Sequence, residues 1–179
     1  MDDEKTVQWF VMRDLKRANS RQHAYEQLQG KGLTVFTPKI WKIIVRQGKR
    51  VRLQLPCIPN LLFVFATREQ LDPVVEKIPT LQYYYQRHGW CNPMTVPDAE
   101  MTRFIHAAEA TETCRFYLPS EITSRMKHRR IRIIGGLFDG YEGTLITTRG
   151  SKVKRLLVEI PGLLAVSVEV NPEYIQLIE

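Results

Sequence analysis

Arg130-Ile-Arg-Ile-Ile-Gly-Gly-Leu-Phe-Asp-Gly-Tyr-Glu-Gly-Thr-Leu-Ile146 reads as a strand, a glycine turn, a glycine loop and a second strand. Ile131 and Ile133 alternate with Arg130 and Arg132, the period-two pattern of a strand with one face in a core. Gly135-Gly136 and Gly140 give the backbone freedom where it reverses. Gly143 stands at the entry to the next strand, where a side chain would crowd a neighbouring backbone. From here to the end, short strands and turns follow at about 130–134, 141–148, 155–160, 163–170 and 174–178. Five strands in so short a stretch is the spacing of a small barrel or sandwich.

Working back toward the amino end, helices appear between the strands. Val96-Pro97-Asp98 opens a helix through Met101, Phe104, Ile105 and Ala108, with proline suited to the first turn. Leu81–Tyr85 is a strand. Thr67-Arg-Glu-Gln70 is a capping box before a helix that packs Leu71, Val74, Val75 and Ile78. Leu61–Ala66 is apolar on both faces, the mark of a central strand. Val7–Arg13 and Leu33–Phe36 are further strands. Asn19 to Gln22 resembles another capping box, and its helix ends at Gly30. The reading is α+β: an antiparallel sheet flanked by helices over 1–112, a linker over 113–127, and a small all-β barrel over 128–179.

Lys39 to Arg52 differs in composition. Apolar Ile40, Trp41, Ile43, Ile44, Val45 and Val51 interleave with basic residues, there is no acidic residue, and Gln47-Gly48 sits at the centre. The pattern predicts a β-hairpin with a basic tip. Lys39, Trp41, Lys42, Arg46, Lys49 and Arg50 are candidate nucleic-acid contacts. Phosphate contacts would be made by the cations and base stacking by the indole. A second cationic group, Arg149, Lys152, Lys154 and Arg155, surrounds a turn at Gly150-Ser151 and is a candidate partner site of the barrel.

The 179 residues carry a formal net charge of +7, a balance that favours polyanionic partners without fixing a fold. No apolar run approaches the roughly 20 residues of a membrane-crossing helix, and the acidic start lacks the apolar core of a secretory signal. Cys57, Cys91 and Cys114 are odd in number and widely spaced, which fits reduced thiols of a cytoplasmic protein. His23, His88, His106 and His128 are scattered, with no His-Glu-x-x-His or Cys-x-x-Cys, so neither metal nor cofactor is expected. The Gly135–Gly140 loop lacks the Gly-Lys-Ser/Thr of a phosphate loop. A non-enzymatic protein is expected.

Gly135–Gly143 with the Gly162, Val170 and Ile175 spacing resembles a KOW motif. Trp9-Phe-Val-Met-Arg13, Leu33-Thr-Val-Phe-Thr-Pro38 and Pro59-Asn-Leu-Leu-Phe-Val64 resemble, in the same order, the strands of the N-terminal domain of NusG-like transcription elongation factors. Asn60-Leu61 replaces that family's usual Gly-Tyr, which suggests a specialised antiterminator of the RfaH or UpxY type, serving particular operons such as surface-polysaccharide loci. The resemblance implies that an apolar sheet face grips the clamp helices of the largest RNA polymerase subunit. Its matching positions here are Phe10, Ile58, Leu61, Phe63 and Tyr84. It also implies a ribosomal protein or Rho as the barrel's partner, DNA or RNA contact in the elongation complex, and a monomer away from membranes. A ribosome-associated RNA-binding KOW protein is the alternative. Val153–Val170 is rich in β-branched residues and holds Pro161-Gly162, so a barrel that never refolds to helix is expected.

Overall fold

The computed structural model describes residues 5–16, 22–85, 92–148 and 150–178. The chain divides into two compact units, Met1–Asp98 and Ala99–Glu179.

The first unit is organised around β1 (Gln8–Asp14), a strand with four consecutive buried residues from Trp9 to Met12. One edge of β1 pairs antiparallel with β5 (Leu61–Ala66). The other pairs with β6 (Leu81–Tyr83) and β7 (Thr95–Val96), and β2 (Thr34–Phe36) extends the sheet beyond β5. Successive side chains of a strand point to opposite faces, so register decides what packs together. Phe10 and Met12 share a face with Leu62, Val64 and Ala66. That face is closed by α1 (Ala24–Gly30) through Ala24 and Leu28 and by α2 (Arg68–Lys77) through Leu71. Trp9, Val11 and Arg13 point the other way, with Leu61, Phe63 and Phe65.

The helices start where side chains satisfy their first backbone donors. At α2 the Thr67 hydroxyl accepts from Gln70 N–H at 3.2 Å, while Thr67 N–H donates to Gln70 Oε1 at 3.0 Å, the reciprocal box read from the sequence. The other expected box fares differently. Asn19 lies outside the described residues, and α1 begins at Ala24. Its opening amide is met by a residue ten positions upstream: buried Asp14 accepts from Ala24 N–H at 2.7 Å. That substitution follows from the general demand of helix amino ends for acceptors, met here by tertiary contact.

β3 (Lys39–Arg46) and β4 (Lys49–Pro56) form a separate two-stranded sheet. Its pairing runs without slip from Lys39↔Pro56 to Arg46↔Lys49. Gln47 and Gly48 both have positive φ, 49° and 75°, the signature of a two-residue I′ turn.

The second unit contains α3 (Asp98–Glu109, entering at Ala99), which buries Met101, Phe104 and Ala107. It also holds β8 (Arg115–Tyr117), β9 (Lys127–Ile133), β10 (Glu142–Ile146), β11 (Arg155–Ile160), β12 (Leu164–Glu169) and β13 (Ile175–Leu177). The strands form one antiparallel sheet in the order β13-β9-β10-β11-β12-β8. Five of the six are those read from the sequence. The stretch 113–127, expected as a linker, is instead structured. β8 pairs with β12 through Val166↔Phe116, and a 3-10 turn follows at Pro119–Glu121. Three residues of strand carry too little periodicity to stand out in a sequence.

Gly143 illustrates why the opening motif needs its glycines. A Cβ there would lie 2.4 Å from the Leu157 carbonyl oxygen and 2.8 Å from Leu156 Cδ1. Gly135 and Gly136 adopt φ of 122° and 72° and lie against the Tyr174 ring.

Candidate macromolecular interfaces

The five positions matched to the polymerase contact do not form one exposed patch. Val11↔Phe63 and Phe10↔Val64 are cross-strand pairs, so Phe10 and Phe63 occupy opposite faces of the sheet. Phe10 is 1% exposed and belongs to the core closed by α1 and α2, its ring edge-on to Tyr83 at 5.7 Å. Phe63 is fully buried and Leu61 nearly so, with the Phe36 ring tilted against Phe63 at 6.1 Å. These three are buried side chains here.

Ile58 and Tyr84 differ: both are half-buried. They stand on opposite sides of β1, Ile58 in the turn before β5 and Tyr84 just after β6. Leu61 N–H donates to Ile58 O and Asp14 N–H to Asn60 O, which ties the 57–60 turn to the end of β1, while Tyr84 N–H donates to Val11 O at the middle of β1. The exposed Arg13 guanidinium lies 4.2 Å from the Tyr84 ring centroid, a cation–π contact. Arg13 was not singled out in the sequence. Its place opposite Leu61 in β1 is what reveals it.

The hairpin residues separate by register. Lys39, Trp41, Ile43 and Val45 share a face with Arg50, Arg52 and Gln54, while Lys42, Arg46 and Lys49 share the other with Ile40, Ile44, Val51, Leu53 and Leu55. The six expected nucleic-acid contacts are thus divided, three to each face. Arg52 was missed, and its guanidinium covers the Trp41 ring at 4.4 Å.

In the second unit the cationic group also divides. Lys152 is exposed and Lys154 half-buried, and Arg149 lies outside the described residues. Arg155 is 3% exposed. Its Nη1 and Nη2 each donate to Thr113 O at 3.0 Å, Nη1 also reaches Ser167, and Nη2 donates to Glu169 at 2.7 Å. With its donors so engaged, Arg155 is a structural tie between β11, β12 and the chain after α3, and it presents no charge to a visitor. A cluster that sequence reading missed joins α3 to the β9–β10 turn: His106 Nδ1 and Tyr141 OH are 2.8 Å apart, and Phe138 lies edge-on to both rings at 5.7 Å. Burial raises the Tyr141 hydroxyl's pKa, with Arg103 opposing it.

Among the described residues no cluster of three or more His, Cys, Asp or Glu could hold a metal ion, and no helix is long and apolar enough to cross a membrane.

Sheets, helix placement and hairpin define the class: an α+β protein of two sheet-centred units with a cationic two-stranded arm. A family model described as transcription termination factor nusG matches residues 7–105. That is more than half the chain, and the chain belongs to the NusG family of transcription factors. Among solved structures it is similar to NusG of Thermotoga maritima, described under "Domain interaction in Thermotoga maritima NusG". The identity is 16%, with 97% of this chain and 98% of that chain covered at a TM-score of 0.44. No curated protein sequence matches it.

Proposed function

We propose that this protein binds RNA polymerase through its first unit and promotes processive, antiterminated transcription of particular operons. What supports the reading is the family match over 7–105, which spans nearly all of the first unit. The contact is made by Ile58 and by the Arg13–Tyr84 pair, since these side chains reach the surface while Phe10, Leu61 and Phe63 do not. A few aromatic and arginine anchors supply most of the energy of such an interface. Preferential binding to a closed clamp would shift polymerase away from paused states by differential affinity alone. Lys42, Arg46 and Lys49 lend one hairpin face a positive field toward nucleic acid in the same complex.

Ile58→Asp with Tyr84→Ala should weaken binding to purified polymerase by about tenfold or more and remove the gain in readthrough in a reconstituted transcription assay. Unchanged affinity in a variant that keeps its thermal midpoint would exclude this contact. No effect of the wild-type protein on pausing or readthrough would exclude the function.

A further inference from the structure

The other hairpin face is built differently. Trp41, Ile43 and Val45 stand in line on β3 at 42%, 71% and 71% exposure. Opposite them on β4 stand Gln54, Arg52 and Arg50. The result is an apolar stripe of about 14 Å running beside a cationic one about 5 Å away. Across 39–56 there is no aspartate or glutamate, so the face carries one sign of charge. Two β-branched side chains so exposed are a liability on an open hairpin unless something covers them.

Three occupants can be weighed. Nucleic acid would satisfy the arginines, but Ile43 and Val45, both 71% exposed, gain nothing from phosphates or stacked bases. A second copy of this chain would bring like charges together, which disfavours association. A helix with an apolar stripe flanked by carboxylates matches both rows at once, as in other helix-and-groove contacts. We propose that the Trp41–Ile43–Val45 face docks an acidic amphipathic helix of a partner protein. The surface shares no residue with the polymerase contact proposed at Ile58, Arg13 and Tyr84 and does not depend on it.

The test uses the full chain and a fluorescein-labelled helical peptide of about 18 residues, with leucines on one stripe and glutamates on its flanks. A twin peptide carries lysine for glutamate. Anisotropy should show the glutamate peptide binding and the lysine peptide not. Ile43→Thr with Val45→Thr should weaken binding about tenfold, and Arg50→Gln with Arg52→Gln by a similar factor. Threonine keeps the β-branch, and an unchanged thermal midpoint verifies the fold. Failure of the glutamate peptide to bind, equal binding of its twin, or indifference to the threonine pair each overturns the proposal. So would either of two other results. One is a single-stranded DNA of about 20 nucleotides that loses affinity in the threonine pair as the peptide does. The other is a dimer, seen by sedimentation, that the same pair dissolves.

Discussion

Gly143 and Glu142 are neighbours with opposite kinds of demand. Gly143 is not among the glycines of positive φ, yet a methyl group there meets a carbonyl oxygen of β11. Backbone cannot step aside as a flexible side chain can, so Gly143→Ala should cost about 2 kcal/mol, read as a lower denaturation midpoint with unchanged slope. Glu142 acts through charge. Hydrogen bonding from Arg132, whose Nε lies 2.9 Å away, and that residue's charge hold the Glu142 carboxyl below its usual range. A carboxyl depressed in the folded state stabilises above its unfolded pKa and loses that contribution as pH falls through the folded one. Thermal midpoints should therefore drop more steeply below about pH 4 in the wild type than in Glu142→Gln, with the two curves converging in acid. Parallel curves would show that the pair contributes nothing.

Among the described residues, the two strands of the hairpin pair only with each other. Its turn depends on two residues of positive φ. A Cβ at Gly48 would meet nothing within 4 Å, so the cost of Gly48→Ala is conformational alone, about 1 kcal/mol. Amide exchange should quicken in β3 and β4 while β1 and β5 keep their protection. Equal acceleration in both sheets would mean that the hairpin unfolds together with the core. Hairpin and turn were legible in the sequence, because a two-residue turn between alternating strands is a local signal. The faces were not: the sequence grouped six residues that pairing divides between two sides.

Among the described residues, the three α-helices lie in the first two thirds of the chain and strands follow. Val153–Val170, expected to be strand, forms β11 and β12, joined through six paired positions from Arg155↔Glu169 to Ile160↔Leu164. β-branched residues and Pro161-Gly162 oppose a helical alternative of this stretch. The far-UV spectrum of the full-length protein should report three short helices and no more. Strong extra helix in solution would mean that the second unit refolds.

The sequence by itself determined the α+β class, the strands around the glycine motif, the second capping box and the hairpin, because each is written in spacing over a few residues. It also carried the family, through four short patterns in order. Tertiary structure decided which apolar residues reach the surface. In a strand greasy on both sides, composition cannot tell core from interface; the folded chain does, burying Phe10, Leu61 and Phe63 while leaving Ile58 and Tyr84 partly exposed. The same holds for Arg155, whose charge looked available until its carbonyl and carboxylate partners, far off in sequence, came within hydrogen-bond distance.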